Sequence, residues 1–170
     1  MGHSAAVYQT AKKDFEKGAS HVTHTFNAMN LIHHRDLGLI GAAIENDNVY
    51  CEVISDAFHL HPSAVRLLYR ALGAERMVLI SDAISPMGVP DCEYVSGGLQ
   101  IFVKNGEARL ADGTIAGSTT HLMKGVQKAI SFGIPVADAI KMATITPARA
   151  VGIDSDCGSV SVGNRADFVL

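Results

Sequence analysis

Short apolar runs alternate with helical patterns along the first half of the chain. The apolar runs over residues 20–26, 49–55 and 77–81 predict strands. The patterns over residues 37–45 and 62–72 predict helices between these strands. A chain that alternates strand and helix in this way favours an α/β fold with a parallel sheet, because each helix returns the chain to the starting edge of the sheet.

A polar residue follows each predicted strand. The predicted strand ends are His3, His24, Ser55 and Ser81, which lie 21, 31 and 26 residues apart. This spacing is typical of βα units. In α/β barrels the residues after the carboxyl ends of the strands converge on one face. We therefore expect His3, His24, residues 56–59 and Asp82 to lie at one edge of the sheet.

The second half of the chain departs from this rhythm. Glycine-containing turns punctuate short β-like runs over residues 94–117, which predicts an inserted β-hairpin. Helices are predicted over residues 123–132 and 135–143 and from Pro147 onward, and Ser118 is a candidate cap for the first of them. The final residues, 159–170, are again β-like. Near the start, Ser4 is a candidate cap of a helix that runs to Lys17.

Composition narrows the classes of function. The 170 residues are 48% hydrophobic and 18% charged, which is typical of one globular domain. The net charge of −3, without any block of lysine and arginine, argues against nucleic acid as a partner. The apolar runs are too short for a membrane span, so we expect no membrane association and a cytoplasmic location. Three widely spaced cysteines suggest neither a disulfide framework nor a thiolate zinc site.

Histidine is concentrated near the start: seven of the eight histidines lie in the first 61 residues. His3 and His24 follow predicted strand ends, where two imidazoles can hold a divalent metal such as zinc, with iron, cobalt or manganese as alternatives. The alternative interpretation is that both histidines have only a structural role. His21 is expected on the opposite face of its strand from His24. A catalytic zinc usually takes three protein ligands, and only two candidates are evident.

Three further residues are candidates for chemistry or binding. Asp82 follows an apolar strand and can serve as a general base and then a general acid, although it could equally cap a turn. His59 can bind substrate or polarise a carbonyl, against an alternative role in loop hydrogen bonding. Arg35 can clamp an anionic group through its guanidinium, against the alternative of a surface ion pair with Asp36.

The segment over residues 23–29, THTFNAM, resembles the THLFNAM motif of N-acetylglucosamine-6-phosphate deacetylases, which are members of the amidohydrolase superfamily. Other matching segments occur in the family's order and cover almost the whole chain. They are residues 2–4 (GHS), 34–38 (HRDLG) with 41–42, 55–59 (SDAFH), 80–83 (ISDA), 115–118 (IAGS), 143–144 with 147–149 and Gly152, and Gly163 with 166–167.

This resemblance implies a metal-dependent deacetylase on a TIM-type (β/α) barrel that carries a small β domain. It implies that His3 and His24 hold the divalent metal, and that Asp82 activates the attacking water and then protonates the leaving amine. It implies binding of the sugar phosphate by a larger set of residues: Asn27, Ala28, Arg35, His59, Ile115, Ala116 and Gly117. It further implies that Arg35 and His59 reach across a dimer interface, so a homodimer is expected.

The sequence departs from the family pattern in three ways. Thr25 replaces the motif's leucine, and Ala57 replaces a usual glycine. The family's glutamate ligand lies upstream of the position of His3. The chain therefore resembles the carboxyl-terminal half of a longer protein, with residues 1–157 in a partial barrel and residues 158–170 in a β segment of the small domain. Because a complete barrel takes about 250 residues, we expect this chain to oligomerise or to be unstable alone.

Two alternatives stay open beside the deacetylase. One is another amidohydrolase, such as a dihydroorotase-like or adenine-deaminase-like hydrolase, since Arg35 favours an anionic substrate without naming it. The other is a catalytically silent half-barrel that acts only by association with another chain. The upstream position of the glutamate ligand supports this second alternative.

Overall fold

Two sheets of different kinds organise the fold of residues 1–169, which are the residues that the computed structural model describes. The first is parallel and has the order β1-β2-β3, and the second is antiparallel and has the order β4-β5-β6-β7. The strands are β1 (His21–Val22), β2 (Tyr50–Ile54), β3 (Met77–Ile80), β4 (Cys92–Ser96), β5 (Leu99–Lys104), β6 (Glu107–Leu110) and β7 (Ile115–Ser118). The helices are α1 (Tyr8–Glu16), α2 (Gly38–Glu45), α3 (Pro62–Arg76), α4 (Leu122–Ser131), α5 (Val136–Ala143) and α6 (Ile145–Ala150).

The parallel sheet is built from consecutive βα units, as the sequence predicts. Helix α2 connects β1 to β2, and α3 connects β2 to β3. Backbone pairing also continues beyond both outer strands. Met1 accepts a hydrogen bond from the Thr23 amide at 2.9 Å and donates one to the His21 carbonyl, so the start of the chain runs beside β1. On the other side, Ser118 pairs in parallel with Ala83 just after β3.

The main core lies between the parallel sheet and its helices. Strand β2 contributes Cys51 and Val53, which are fully buried, and β3 contributes Met77. Helix α3 directs Val65 and Leu68 into the same cluster at the three-residue spacing of a helix face. Strands with this much buried apolar content are expected where helices cover a parallel sheet.

Arg76, at the end of α3, forms hydrogen bonds with the backbone at the end of α2. The helical pattern of α3 is interrupted at Gly73, whose φ of +66° lies in the left-handed region that glycine tolerates. The Arg76 guanidinium then donates hydrogen bonds to the carbonyls of Ile44 at 3.0 Å and Asn46 at 2.9 Å. The last carbonyls of a helix have no partner within the helix. A partly buried arginine therefore satisfies them here.

The predicted hairpin over residues 94–117 is the centre of a larger unit, the four-stranded antiparallel sheet over residues 92–118. Its tight turn at Asn105 and Gly106 has positive φ at both residues, as a two-residue hairpin turn requires. A small apolar cluster of Ile101, Val103 and Ala108 covers one face. The unit reaches the parallel sheet through the end of β7.

Three local predictions near the elements' ends are wrong. Helix α1 begins at Tyr8 after Val7, and the Ser4 hydroxyl accepts from the Ala6 amide instead of capping a helix. The predicted strand over residues 20–26 shrinks to β1 because residues 23–29 turn away at the sheet's edge. Ser118 ends β7, and the Nδ1 atom of His121 caps α4.

The expected β segment at the end of the chain is also absent from residues 158–169, which form turns and irregular backbone. A strand needs a neighbour for its backbone hydrogen bonds, and the side chains of Val162 and Phe168 are exposed here. Residue 170, the last of the predicted run, lies outside the described residues. No helix within residues 1–169 combines the length and apolar character needed to cross a membrane.

Candidate active site

Polar residues follow the carboxyl ends of three neighbouring parallel strands. His24 comes two residues after β1, Asp56 two residues after β2 and Asp82 two residues after β3. Because the strand order is β1-β2-β3, these positions share one edge of the sheet. Ligands of parallel α/β folds bind at this edge. The structure therefore places His24, Asp56 and Asp82 at one edge of the sheet, as the sequence predicts.

His3 and His24 are in direct contact although 20 residues lie between them. Their ring centroids are 4.6 Å apart, in an edge-to-face arrangement. The backbone pairing of Met1 with His21 and Thr23 holds the segment that carries His3 against the segment that carries His24. Gly2 makes this approach possible: a Cβ atom there would lie 2.2 Å from Thr23 Cγ2, so the threonine methyl group would have to move. The two candidate ligands are thus brought together by backbone packing.

The chemistry of this pair fits a divalent metal. Within residues 1–169, the buried Nδ1 atom of His24 has no hydrogen-bond partner. A buried imidazole nitrogen that lacks a partner carries a desolvation cost, which metal ligation would remove. No group of three or more His, Cys, Asp or Glu side chains in the described part of the chain is arranged to hold a metal. The described residues therefore offer two imidazole donors, which is fewer than the three of a usual catalytic zinc site.

Backbone strain is concentrated at this edge. Seven non-glycine residues in the range 1–169 have positive φ. Six belong to the segments that follow the strand positions: His3, His24, Phe26, Ala28, Ala57 and Asp82. The seventh, Asn105, is in the β5–β6 turn. Such conformations cost of order 1–3 kcal/mol each and cluster at functional sites, so their position supports the assignment of this edge as the candidate site.

Asn27 and Ala28 lie in the tight turn after His24. The Asn27 amide donates to the His24 carbonyl at 2.9 Å, and its side-chain Nδ2 donates to the same carbonyl at 3.1 Å. Ala28 has φ of +51° and is exposed. This turn presents backbone groups at the edge of the site, close to His24.

Asp56 organises the loop that carries His59. Its Oδ1 accepts hydrogen bonds from the backbone amides of Phe58 and His59, both at 2.9 Å. Its Oδ2 lies 2.8 Å from His59 Nδ1, and both side chains are at least 95% buried. Burial by itself raises the pKa of the Asp56 carboxyl, but the hydrogen bonds from the His59 side chain and from the two amides outweigh it. The pKa is therefore held below its usual value, and the group is a carboxylate at neutral pH.

Asp82 and Ser118 connect the end of β3 to the end of β7. The Ser118 amide donates to the Asp82 carbonyl, and the Ile84 amide donates to the Ser118 carbonyl, both at 2.9 Å. The Ser118 hydroxyl also donates to Asp56 Oδ2 at 3.4 Å. Gly117 is required beside them, because a Cβ atom there would lie 2.6 Å from Ile84 Cγ2.

A narrow cleft lies between the His59 loop and the end of β7. The His59 loop, β7, and the start of β6 with the turn before it line this cleft: Asp56, Phe58, His59, Gly106, Glu107, Ala108, Ile115, Gly117 and Ser118. Three of the predicted substrate residues, His59, Ile115 and Gly117, therefore lie together. Ala116 is between the last two in β7 and is half-buried.

Arg35 lies apart from this cleft, in an exposed loop. Its Nη1 atom is 2.8 Å from His34 Nε2. No ion pair joins Arg35 to Asp36 within residues 1–169, and Asp36 Oδ1 instead accepts from the backbone amides of Gly38 at 2.9 Å and Tyr8 at 3.2 Å. Asp36 thus joins the starts of α1 and α2, and the Arg35 guanidinium points to the surface of this chain.

Sequence reasoning overlooked two residues of this arrangement. Asp56 is expected at this edge of the sheet as part of residues 56–59 but receives no role of its own, although an aspartate two residues after an apolar strand and three residues before a histidine is compatible with a carboxylate–imidazole pair. Ser118 was assigned to helix capping. Its contact with Asp56 spans 62 residues and has no local signal in the sequence.

Comparisons with known proteins extend over the whole chain. Residues 1–170 match the amidohydrolase family. The chain is 38% identical to an N-acetylglucosamine-6-phosphate deacetylase of Vibrio furnissii, over 99% of this chain and 42% of that protein. It is also 38% identical to an N-acetylgalactosamine-6-phosphate deacetylase of Escherichia coli O157:H7, over 99% of this chain and 45% of that protein.

The fold is likewise that of a solved relative. The crystal structure of N-acetylglucosamine-6-phosphate deacetylase from Thermotoga maritima superposes with a TM-score of 0.92 at 35% identity. The match covers 98% of this chain and 46% of that one, so the chain spans less than half the length of these relatives. The predicted α/β class and partial barrel are confirmed. The family match over every residue also confirms the resemblance of the motifs, and the chain belongs to the amidohydrolase family.

Proposed function

We propose that the complete protein hydrolyses the N-acetyl group of N-acetylglucosamine 6-phosphate to glucosamine 6-phosphate and acetate. The observation that carries this proposal is 38% identity to a deacetylase along 99% of the chain. The contact of His3 with His24 at that edge supports it further. The alternative of a dihydroorotase-like or adenine-deaminase-like hydrolase has no corresponding relative among those described above.

We assign His3 and His24 as two ligands of a divalent metal, with zinc as the first choice and iron, cobalt or manganese as alternatives. Imidazole donors without thiolates suit all four metals. A bound metal would polarise the N-acetyl carbonyl and favour ionisation of the attacking water. Any further metal ligands would come from residues other than His3 and His24. Metal analysis of the complete protein would identify the metal.

Asp82 is assigned the proton transfers. Its carboxylate takes a proton from the water as the water oxygen bonds to the acetyl carbon. The same proton is then given to the amide nitrogen as the carbon–nitrogen bond breaks, so that an amine and acetate leave. The side chain is exposed at the end of β3, where a substrate can reach it. The left-handed backbone of Asp82, with φ of +49°, fixes the point from which the carboxylate projects.

The substrate is assigned to the carboxyl edge of the parallel sheet, where Asp82 is exposed. The Asn27–Ala28 turn and the stretch Ile115, Ala116 and Gly117 are assigned backbone contacts with it. His59, which lines the narrow cleft against β7, is assigned a contact through its imidazole. Arg35 is proposed to hold the phosphate. Since its guanidinium lies on the surface of its own chain, we propose that it serves the site of a second copy in a homodimer located in the cytoplasm. Light scattering coupled to size-exclusion chromatography tests the dimer: a monomeric mass would contradict it.

N-acetylgalactosamine 6-phosphate is a second candidate substrate. A deacetylase named for this sugar is as similar to the chain, at 38% identity, as the one named for the glucose epimer. The two sugars differ only in the configuration of the C4 hydroxyl. Discrimination therefore depends on which group of the cleft faces that hydroxyl.

Acetate release from both sugar phosphates tests the proposed function directly. The purified protein is assayed with each epimer, with dihydroorotate and with adenine. We expect acetate from N-acetylglucosamine 6-phosphate and no turnover of the ring substrates. Acetate only from the galactose epimer would establish the second candidate. If no substrate turns over even after addition of the amino-terminal half of a relative, the silent half-barrel replaces the enzyme.

A further inference from the structure

We propose that Asp56 is a positioning residue that sets the tautomer and the orientation of His59 in the substrate cleft. The proposal rests on the proposed function only in identifying what His59 contacts. Its physical basis is the buried contact between Asp56 Oδ2 and His59 Nδ1 at 2.8 Å.

The geometry fixes the proton on one ring nitrogen. A carboxylate only accepts hydrogen bonds, so the Nδ1 atom of His59 must be the donor to Asp56. The Nε2 atom of the neutral ring is then an acceptor and can receive a hydrogen bond from a substrate hydroxyl. A carboxylate that orients an imidazole in this way selects the useful tautomer without touching the substrate.

Asp56 also links the His59 loop to Ser118 at the end of β7, on the other side of the cleft. Its other oxygen, Oδ1, accepts two backbone amides of the His59 loop, and its Oδ2 accepts the Ser118 hydroxyl at 3.4 Å. Ser118 contacts Asp56, and Asp56 in turn contacts His59. Ser118 therefore does not contact the imidazole as a nucleophile would. The carboxylate instead joins the two elements that line the cleft.

The substitution Asp56→Asn tests this role. An asparagine keeps an oxygen for the two backbone amides, but its NH₂ group donates toward His59 Nδ1 and favours the opposite tautomer. We expect KM for the sugar phosphate to rise about tenfold with kcat changed less than about threefold, since a binding contact is lost. The matched control is Asp112→Asn, because Asp112 Oδ1 also accepts a backbone amide, that of Thr114, but in an exposed turn.

A double-mutant cycle separates positioning from general support of the fold. If Asp56 acts through His59, the double variant Asp56→Asn/His59→Ala will have the same KM as His59→Ala. Fully additive effects, or an unchanged KM in Asp56→Asn, would overturn the proposal. This arm requires deacetylase activity.

A second arm is independent of activity and reads the tautomer in the unsubstituted protein. The ¹⁵N chemical shifts of the histidine rings report which nitrogen is protonated, and loss of a signal in His59→Gln assigns the His59 ring. In the unsubstituted protein we expect neutral His59 to carry its proton on Nδ1. A proton on Nε2 would overturn the proposal even if the protein proves to be a deacetylase. If the protein deacetylates neither sugar, a proton on Nδ1 would still support the positioning role while the proposed function fails.

Discussion

The imidazole rings of His3 and His24 meet edge to face with their centroids 4.6 Å apart. Neither residue lies in a strand. Both follow backbone that is paired between residues 1 and 21–23, and both have positive φ. The contact is therefore imposed by the main chain, which would hold the two proposed ligands together before a metal binds.

Replacing His24 by alanine should remove bound metal. The substitution deletes one of the two imidazole donors, so we expect metal content per chain, measured by plasma mass spectrometry, to fall at least about tenfold after equal dialysis. The control is His61→Asn, since His61 caps α3 and asparagine is also a good cap. Equal metal content in His24→Ala and the unsubstituted protein would contradict the assignment of this ligand.

Replacing Gly2 by alanine should strain the His3–His24 contact. The added Cβ would lie 2.2 Å from Thr23 Cγ2, and overpacking of this kind costs about 1–3 kcal/mol of the free energy of unfolding. Thr23→Ser removes that methyl group but keeps the hydroxyl that donates to Glu52 at 2.6 Å. The double variant Gly2→Ala/Thr23→Ser should therefore recover most of the loss in urea unfolding. Failure to recover would show that Gly2 is needed for another reason.

These contacts illustrate what a sequence can and cannot predict. The βα rhythm predicted β2, β3 and the helices between them, because their apolar periodicities are local. The pairing of His3 with His24 followed from their places after strand ends. By contrast, the Ser118–Asp56 contact joins residues 62 apart and depends on how the antiparallel sheet meets the parallel one. The apolar alternation at the end of the chain predicts a strand, but residues 158–169 form none in this chain, because a strand also needs a neighbour that the alternation does not reveal.

Loss of the Asp56 carboxylate should reduce the pH dependence of the free energy of unfolding at acid pH. Its folded pKa is below the usual value of 3.8, so the unfolded chain binds the proton more tightly. The resulting stabilisation is fully present above the unfolded pKa and is lost as the pH falls through the folded pKa. In urea titrations between pH 3 and 6, Asp56→Asn should show a smaller fall in unfolding free energy below pH 4 than the unsubstituted protein. The exposed Asp154→Asn serves as the control, and an identical fall in Asp56→Asn would contradict the account.

Arg76 should stabilise the fold more than an ordinary surface arginine. Its guanidinium serves several carbonyls at the end of α2, which a lysine ammonium cannot span with the same geometry. We expect Arg76→Lys to lower the free energy of unfolding by about 1–2 kcal/mol. Arg70→Lys, an exposed change on the same helix, should alter it by less than about 0.5 kcal/mol. Equal effects of the two substitutions would show that the α2 carbonyls are satisfied without Arg76.

The most direct test of the central claim is acetate release from N-acetylglucosamine 6-phosphate by the protein and by its Asp82→Asn variant. The asparagine keeps the shape of the side chain but cannot take up the proton of the attacking water, so we expect kcat to fall by a factor of about 10² to 10⁴. Metal content should be unchanged, and Asp154→Asn should have normal activity. Retention of full turnover by Asp82→Asn would contradict the assignment of the proton transfers to this carboxylate and, with it, the proposed mechanism.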